Sequence, residues 1–188
     1  MSKLAFRAVV LGAVIGLLGI VSFAVAGGGK NHLKGTLTGY QESGPADIST
    51  AANGTFELEI GKGDTEISYK LTYSGLESDV KQSHIHFGKA GLSGGISMWL
   101  CCTASNPGPA GTQTCPQSAT KAAPVTGTLT AENVVGPVSQ GILAGQFDEI
   151  LAAIRAGHAY ANVHTATFGS GEIRAQIGDE DKGKHGDD

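Results

Sequence analysis

The sequence has little charge, few aromatic residues and no excess of positive charge. Of its 188 residues, 16% are charged and 6% are aromatic, and the formal net charge is −4. A chain without a basic patch lacks the electrostatic footprint of nucleic-acid binding, so nucleic acid is excluded as a partner. The chain also lacks a Gly-x-Ser-x-Gly elbow and a phosphate-binding glycine loop, so we assign no catalytic residue.

Cysteine is scarce as well, with Cys101, Cys102 and Cys115 as the three thiols. They lack the paired Cys-x-x-Cys spacing of a zinc site, and a loop rich in glycine, proline, serine and threonine separates them. A disulfide across that loop is expected if the protein matures in an oxidising compartment. Cys101 and Cys102 compete for Cys115, and the remaining thiol is then either free or paired with another molecule.

Long apolar runs are missing except near the start of the chain. Residues 8–26 carry no charge, follow Lys3 and Arg7, and end in the small-x-small triplet Ala-Val-Ala. This pattern predicts a signal peptide over residues 1–26, with an uncleaved membrane anchor as the alternative. Cleavage would bring the net charge from −4 to −6. It would leave an extracytoplasmic protein, periplasmic or secreted, without a membrane partner.

The rest of the chain predicts one domain over residues 27–178 and a polar, disordered acidic tail over residues 179–188. In eight segments of the domain apolar and polar residues alternate, and glycine-bearing turns separate these segments, which is typical of half-buried strands. The fold class is therefore all-β, a Greek-key-like β-sandwich or barrel.

One segment, residues 146–156, breaks the alternation and predicts a short helix. Its apolar residues recur at helical spacing, acidic residues lie near its start, and Arg155 and Gly157 suit its end. We expect this helix to pack over one end or edge of the sheet. The apolar stripe consists of Phe147, Ile150, Leu151 and Ile154.

Two histidines flank one isoleucine in the segment Gln-Ser-His-Ile-His-Phe. In a strand, His84 and His86 share one face and Ile85 takes the other. By the same rule, a later segment places Val163 on its apolar face and His164 on its polar face. Because the apolar faces must turn inward, we expect all three imidazoles to point outward, towards solvent or into a cleft.

If these strands are neighbours, His84, His86 and His164 converge, and three imidazoles with an open fourth position suit copper or zinc. Such binding needs neutral rings and should weaken below about pH 6.5. In the structural alternative, the imidazoles hydrogen-bond loop carbonyl groups and fasten loops to the sheet. Polar residues on the same strand faces are candidates for supporting the site and orienting its rings. They are Tyr160, Asn162, Glu172 and Arg174.

Three stretches of the domain carry a family resemblance: "LTGYQESGP" near its start, "HIHFGKAG" in the middle and "GHAYANVHTATFGSGEIRAQI" at its end. From Leu33 to Ile177 the chain resembles the CHRD family, named after a domain of chordin and widespread in bacterial exported proteins. The resemblance implies an all-β extracytoplasmic module without an agreed biochemical activity. It also favours Cys101 over Cys102 as the partner of Cys115.

The His-x-His pair followed by Phe-Gly is also similar to the copper strand of Cu/Zn superoxide dismutases, which share the β-sandwich architecture. The likeness does not extend to an obvious zinc loop, so dismutase activity is not expected. We therefore predict a non-enzymatic binding or structural module. The alternatives are a copper- or zinc-binding protein and a surface module that binds a protein or glycan.

Overall fold

The computed structural model describes residues 31–44, 46–117 and 122–178, which contain eight strands, one α-helix and three single-turn 3-10 helices. The predicted signal peptide and acidic tail lie outside the described residues. Among the helices of the described part, none has the length and apolarity needed to span a bilayer. The elements are β1 (His32–Thr38), β2 (Asn53–Ile60), β3 (Ile67–Ser74), β4 (Val80–Phe87), β5 (Gly95–Cys101), β6 (Val125–Leu129), α1 (Phe147–Arg155), β7 (Ala159–Thr165) and β8 (Ile173–Gln176).

The strands form one antiparallel sheet in the order β5-β4-β7-β8-β1-β2-β3-β6. Its two edges approach each other: Val135, beyond β6, donates its amide to the carbonyl oxygen of Ser97 in β5 at 2.9 Å. The sheet is therefore a nearly closed barrel. After β6 the chain returns through α1 to place β7 beside β4, which is a Greek-key path. The predicted all-β fold with one helix is confirmed.

Alternation in the sequence explains which side of each strand fills the barrel. In β2, every second side chain is buried, including Phe56, Leu58 and Ile60, and the residues between them are exposed. Removing apolar surface from water contributes about 25 cal/mol per Å². The barrel is therefore held together mainly by these inward-facing rows.

Helix α1 forms where it is predicted, and is one residue shorter at each end than the range 146–156. Ile150 and Ile154 are fully buried, so the apolar stripe faces the core. Acidic residues lie in the first turn and Arg155 in the last, as the helix dipole favours. Gly157 follows with a φ of 73°, a left-handed conformation that glycine adopts without a steric penalty.

Both faces of β4 and β7 are buried, which corrects one of the two outcomes expected for the histidines, that they point to solvent. Ile85 and Val163 have no exposed surface, as the inward-facing prediction requires. However, His84 is also fully buried, and His86 and His164 are only 6% and 7% exposed. The alternation correctly separates the two faces, but it does not show that the polar face is covered.

The cover consists of loops that a polar side chain of β8 holds in place. Arg174 donates hydrogen bonds to the carbonyl oxygens of Lys89 and Leu92 in the β4–β5 connection, each at 3.0 Å. It also donates to the hydroxyl of Ser43 in the β1–β2 connection. Loop backbone that lies over a sheet needs such partners, so this polar face is a loop-binding surface instead of a solvated one.

A disulfide joins Cys101, at the end of β5, to Cys115. This confirms the pairing that the family resemblance favoured. Cys102 is a free thiol and is half-buried. The bridge closes a segment that contributes no regular strand between β5 and β6.

Replacing Cys101 by serine should lower the free energy of unfolding by about 3 kcal/mol, because opening a loop of this size restores chain entropy to the unfolded state. Cys102→Ser is the matched control and should change stability by less than about 0.5 kcal/mol. Urea unfolding without reductant measures both. Equal losses in the two variants would contradict this account.

Candidate metal centre

The three predicted histidines meet because β4 and β7 are neighbours. In their antiparallel register, His84 lies opposite Asn162, and Gln82 lies opposite His164. His164 is therefore diagonal to His84 on one face, a separation that long side chains bridge. His86, two residues along β4, lies on the same face.

The ring nitrogens are close enough for one ion. One nitrogen from each of the three imidazoles lies within 4.8 Å of the others, and His84 Nδ1 is 3.3 Å from His164 Nε2. Two nitrogens bound at about 2.0–2.1 Å to a tetrahedral ion are about 3.4 Å apart. The cluster therefore needs only a small closing movement to hold an ion.

Backbone carbonyl groups orient two of the rings. His86 Nδ1 lies 2.9 Å from the carbonyl oxygen of Gly94, and His164 Nδ1 lies 3.0 Å from that of Gly169. A carbonyl oxygen only accepts, so His86 Nδ1 carries a proton and donates it, which leaves a lone pair on His86 Nε2. His164 has an acceptor oxygen at each ring nitrogen, since Asn162 Oδ1 lies 3.0 Å from its Nε2, and a neutral ring donates to only one of the two. Metal-bound histidines usually have such a partner on their second nitrogen.

Two ring nitrogens are buried without a partner. Neither His84 Nε2 nor His86 Nε2 has a hydrogen-bond partner among the described residues. The bonds of His86 and His164 to loop carbonyl groups are those of the structural alternative. His84 Nδ1 can in addition donate to His164 Nε2, but this bond serves neither orphaned nitrogen. A buried polar atom left unpaired costs free energy, and a bound metal ion would relieve that cost at His86 Nε2.

Aromatic rings and one cation enclose the cluster. Trp99 packs edge-on against His84 with ring centroids 4.3 Å apart. Tyr160 lies parallel to His86 at 4.7 Å, and the Arg174 guanidinium stacks on Tyr160, 3.4 Å from the ring centroid. Tyr160 and Arg174, two of the candidates for supporting residues, thus pack in a stack on His86.

Burial lowers the pKa of all three imidazoles because it disfavours the charged ring. The pKa of His84 falls to about 2 and that of His86 to about 4, and the pKa of His164 is lowered for the same reason. The rings are therefore neutral well below the pH of about 6.5 at which an exposed imidazole titrates. The expectation that metal binding weakens below that pH assumed exposed rings, and for these buried rings protonation would compete with a metal ion only at a lower pH.

Asn162 and Glu172 are the alternative candidates for orienting an imidazole, and Asn162 is the one that contacts a ring. Asn162 Oδ1 lies 3.0 Å from His164 Nε2. The carboxylate of Glu172 instead accepts hydrogen bonds from the hydroxyls of Thr50, at 2.9 Å, and Thr165, at 2.7 Å. It also accepts one from the amide of Glu77 at 2.9 Å. Glu172 therefore fastens loops to the sheet, and of the two candidates it is Asn162 that contacts an imidazole.

Sequence reasoning missed Glu42 as a residue of this region. Its side chain is 5% exposed, and its carboxyl group packs on Gly171, where an added Cβ would lie 2.5 Å from Oε1. Burial raises the pKa of Glu42 to about 7, against the opposing effects of the Arg174 charge and a hydrogen bond from Asn162. The polar segment around Glu42 has the composition of an exposed turn, so no local signal indicates this burial.

The family model described as CHRD domain matches residues 33–177, which include the three histidines, both disulfide cysteines and the eight strands except for the first residue of β1. Searches of curated proteins and of solved structures found no match. The match supports a non-enzymatic binding or structural module in general terms. Because it covers most of the chain, the protein belongs to the CHRD domain family.

Proposed function

We propose that this domain binds one copper or zinc ion at His84, His86 and His164. The observation that carries the proposal is the convergence of three buried imidazoles, with one ring nitrogen of each within 4.8 Å of the others. The carbonyl group of Gly94 fixes the tautomer of His86 so that its Nε2 has a free lone pair. In this proposal, the domain is a binding module and its ligand is a metal ion.

The donor set favours copper or zinc over harder ions. Neutral imidazole suits zinc and copper, whereas calcium and magnesium prefer oxygen ligands. Among divalent ions at a site of this kind, Cu²⁺ binds more tightly than Zn²⁺. His86 and His164 are only 6% and 7% exposed, so the cluster is almost completely screened from solvent.

Metal-free protein should therefore take up one equivalent of Cu²⁺ or Zn²⁺ in isothermal titration at pH 7, with Cu²⁺ the tighter ion. His86→Ala should weaken binding by more than about 100-fold, because loss of a direct ligand exceeds the 10–100-fold effect of outer partners. Titration at pH 5 should give nearly the same stoichiometry, because the pKa of His86 is about 4.

The exposed histidines provide matched controls for this titration. His32 and His158 are exposed and lie outside the cluster, so His32→Ala and His158→Ala should leave the tight site unchanged. The proposal is wrong if wild-type protein binds no stoichiometric metal, or if His86→Ala and His158→Ala have equal effects.

We further propose that the protein is exported and acts outside the cytoplasm. The signal-like pattern of residues 1–26 supports this proposal, and so does the disulfide between Cys101 and Cys115. Disulfides of this kind persist in oxidising compartments and are rare in the cytosol.

A further inference from the structure

A carboxyl group with an unpaired oxygen lies beside the candidate metal site. Glu42 Oε1 is buried and has no hydrogen-bond partner among the described residues. Arg174 does not provide one, since its guanidinium donates to the hydroxyl of Ser43 and to the carbonyl oxygens of Lys89 and Leu92. A buried carboxyl oxygen without a partner is costly. A positive charge placed near it would remove that cost.

Two contacts connect Glu42 to the imidazole of His164. The Asn162 side chain hydrogen-bonds the Glu42 carboxyl group, and its Oδ1 lies 3.0 Å from His164 Nε2. The Glu42 carboxyl also packs on Gly171, in the same turn as Gly169, whose carbonyl oxygen orients His164. A positive charge at His164 therefore interacts electrostatically with the Glu42 carboxyl group through a short, buried region.

The three imidazoles supply no negative charge to a bound ion. A divalent ion held by neutral rings alone would bring two uncompensated charges into a buried site, which is costly. Arg174 adds a further positive charge on the far side of Tyr160, and the carboxylate of Glu172 is already used by three hydrogen-bond donors. Glu42 is a buried carboxyl group whose unpaired oxygen leaves it available for this role.

Resting on the metal site proposed above, we propose that the Glu42 carboxylate is the anionic partner of the bound ion and makes the site favour a divalent over a monovalent ion. Glu42 is not a ligand in this account. It acts through space and through Asn162, so removing its charge should alter the preference between ions of different charge while the three imidazoles stay in place.

Replacing Glu42 by glutamine tests this preference with Cu²⁺ and Cu⁺ at pH 8, where the wild-type carboxyl group is ionised. Cu²⁺ affinity should fall about 10–100-fold, the usual effect of an outer partner. Since Coulomb energy scales with the charge of the ion, Cu⁺ affinity should fall only about 3–10-fold. The Cu²⁺/Cu⁺ potential should therefore rise by about 30–60 mV, at 59 mV for each tenfold change.

The full chain should carry Cys102→Ser in this experiment, because a half-buried free thiol also binds Cu⁺. Asp47→Asn removes an exposed carboxylate of the same loop and should leave the potential unchanged. Glu42→Asp keeps the charge, so it should bind both ions at a potential close to the wild-type value, even if Glu42→Gln proves unable to fold.

Equal losses of Cu²⁺ and Cu⁺ in Glu42→Gln, with an unchanged potential, would show a purely structural role and overturn this inference. So would a potential in Glu42→Asp that rises as far as in Glu42→Gln, or a Glu42→Asp protein that binds neither ion. Failure of the metal site itself looks different, because wild-type protein would then bind neither ion.

Discussion

Arg174→Ala should destabilise the metal-free protein by about 2–6 kcal/mol, because it leaves two carbonyl groups without their donor at a cost of about 1–3 kcal/mol each. The Arg174 side chain is 1% exposed and donates to the carbonyl oxygens of Lys89 and Leu92. Alanine would leave both carbonyl groups without this donor beneath their loop. It would also remove the guanidinium that stacks on Tyr160, and with it the support of His86.

Arg174→Lys is the matched control for this change. Lysine keeps the positive charge but lacks the planar fork that donates to two carbonyl groups while stacking on a ring. The free energy of unfolding of Arg174→Lys should therefore lie between the values for the wild type and for Arg174→Ala. Urea unfolding of the three proteins measures the differences. A loss below about 1 kcal/mol for alanine, the average effect of point mutations, would show that other contacts hold the loops.

Acidification from pH 7 to pH 5 should destabilise the metal-free protein by about 2 kcal/mol or more, through its buried histidines. The pKa of histidine is 6.5 in the unfolded chain, against about 2 for His84 and about 4 for His86 in the fold. Below pH 6.5 the unfolded chain thus binds more protons, and stability is lost as the pH falls towards the folded-state values. Each of these two rings contributes about 2 kcal/mol of loss by pH 5.

Glu42 reduces this loss of stability on acidification. Its pKa of about 7 in the fold exceeds the ordinary value of 4.5, so the folded state binds more protons between these two values. Protonation of Glu42 therefore stabilises the folded state as the pH falls from 7, by about 2 kcal/mol at pH 5. Two histidines outweigh one carboxyl group, and His164, whose pKa is also lowered, adds to the loss. Arg174 remains charged between pH 7 and pH 5 and does not alter the direction of the stability change.

Urea unfolding at pH 7, 6 and 5 measures the net effect. His86→Leu removes one buried titrating ring and should reduce the loss at pH 5 by about 2 kcal/mol, while Glu42→Gln should increase it by a similar amount. His158→Leu, at an exposed position, should follow the wild type. If the wild-type stability is constant or rises between pH 7 and pH 5, the imidazoles are not buried and neutral as the structure describes.

The alternation of apolar and polar residues predicted most of the fold. It identified eight strands and one helix, because burying one side of an element leaves a regular spacing in the sequence. It also placed Ile85 and Val163 inside, and therefore put His84, His86 and His164 on the opposite faces of their strands. These inferences depend only on the direction in which neighbouring side chains point, which local sequence determines.

The candidate site depended on information that no local pattern contains. His164 meets His84 only because β7 returns beside β4 after a long connection. The polar face is buried only because Arg174 and Glu172 bind loops across it, and this cover brings Glu42 against Gly171.

The sequence by itself determined which residues share a face, since side-chain direction in a strand follows from backbone geometry. The tertiary structure alone decided that this face is enclosed, that its imidazoles are neutral and that Glu42 lies beside them. Desolvation, which controls the pKa of each group, depends on everything packed around it and not on its neighbours along the chain.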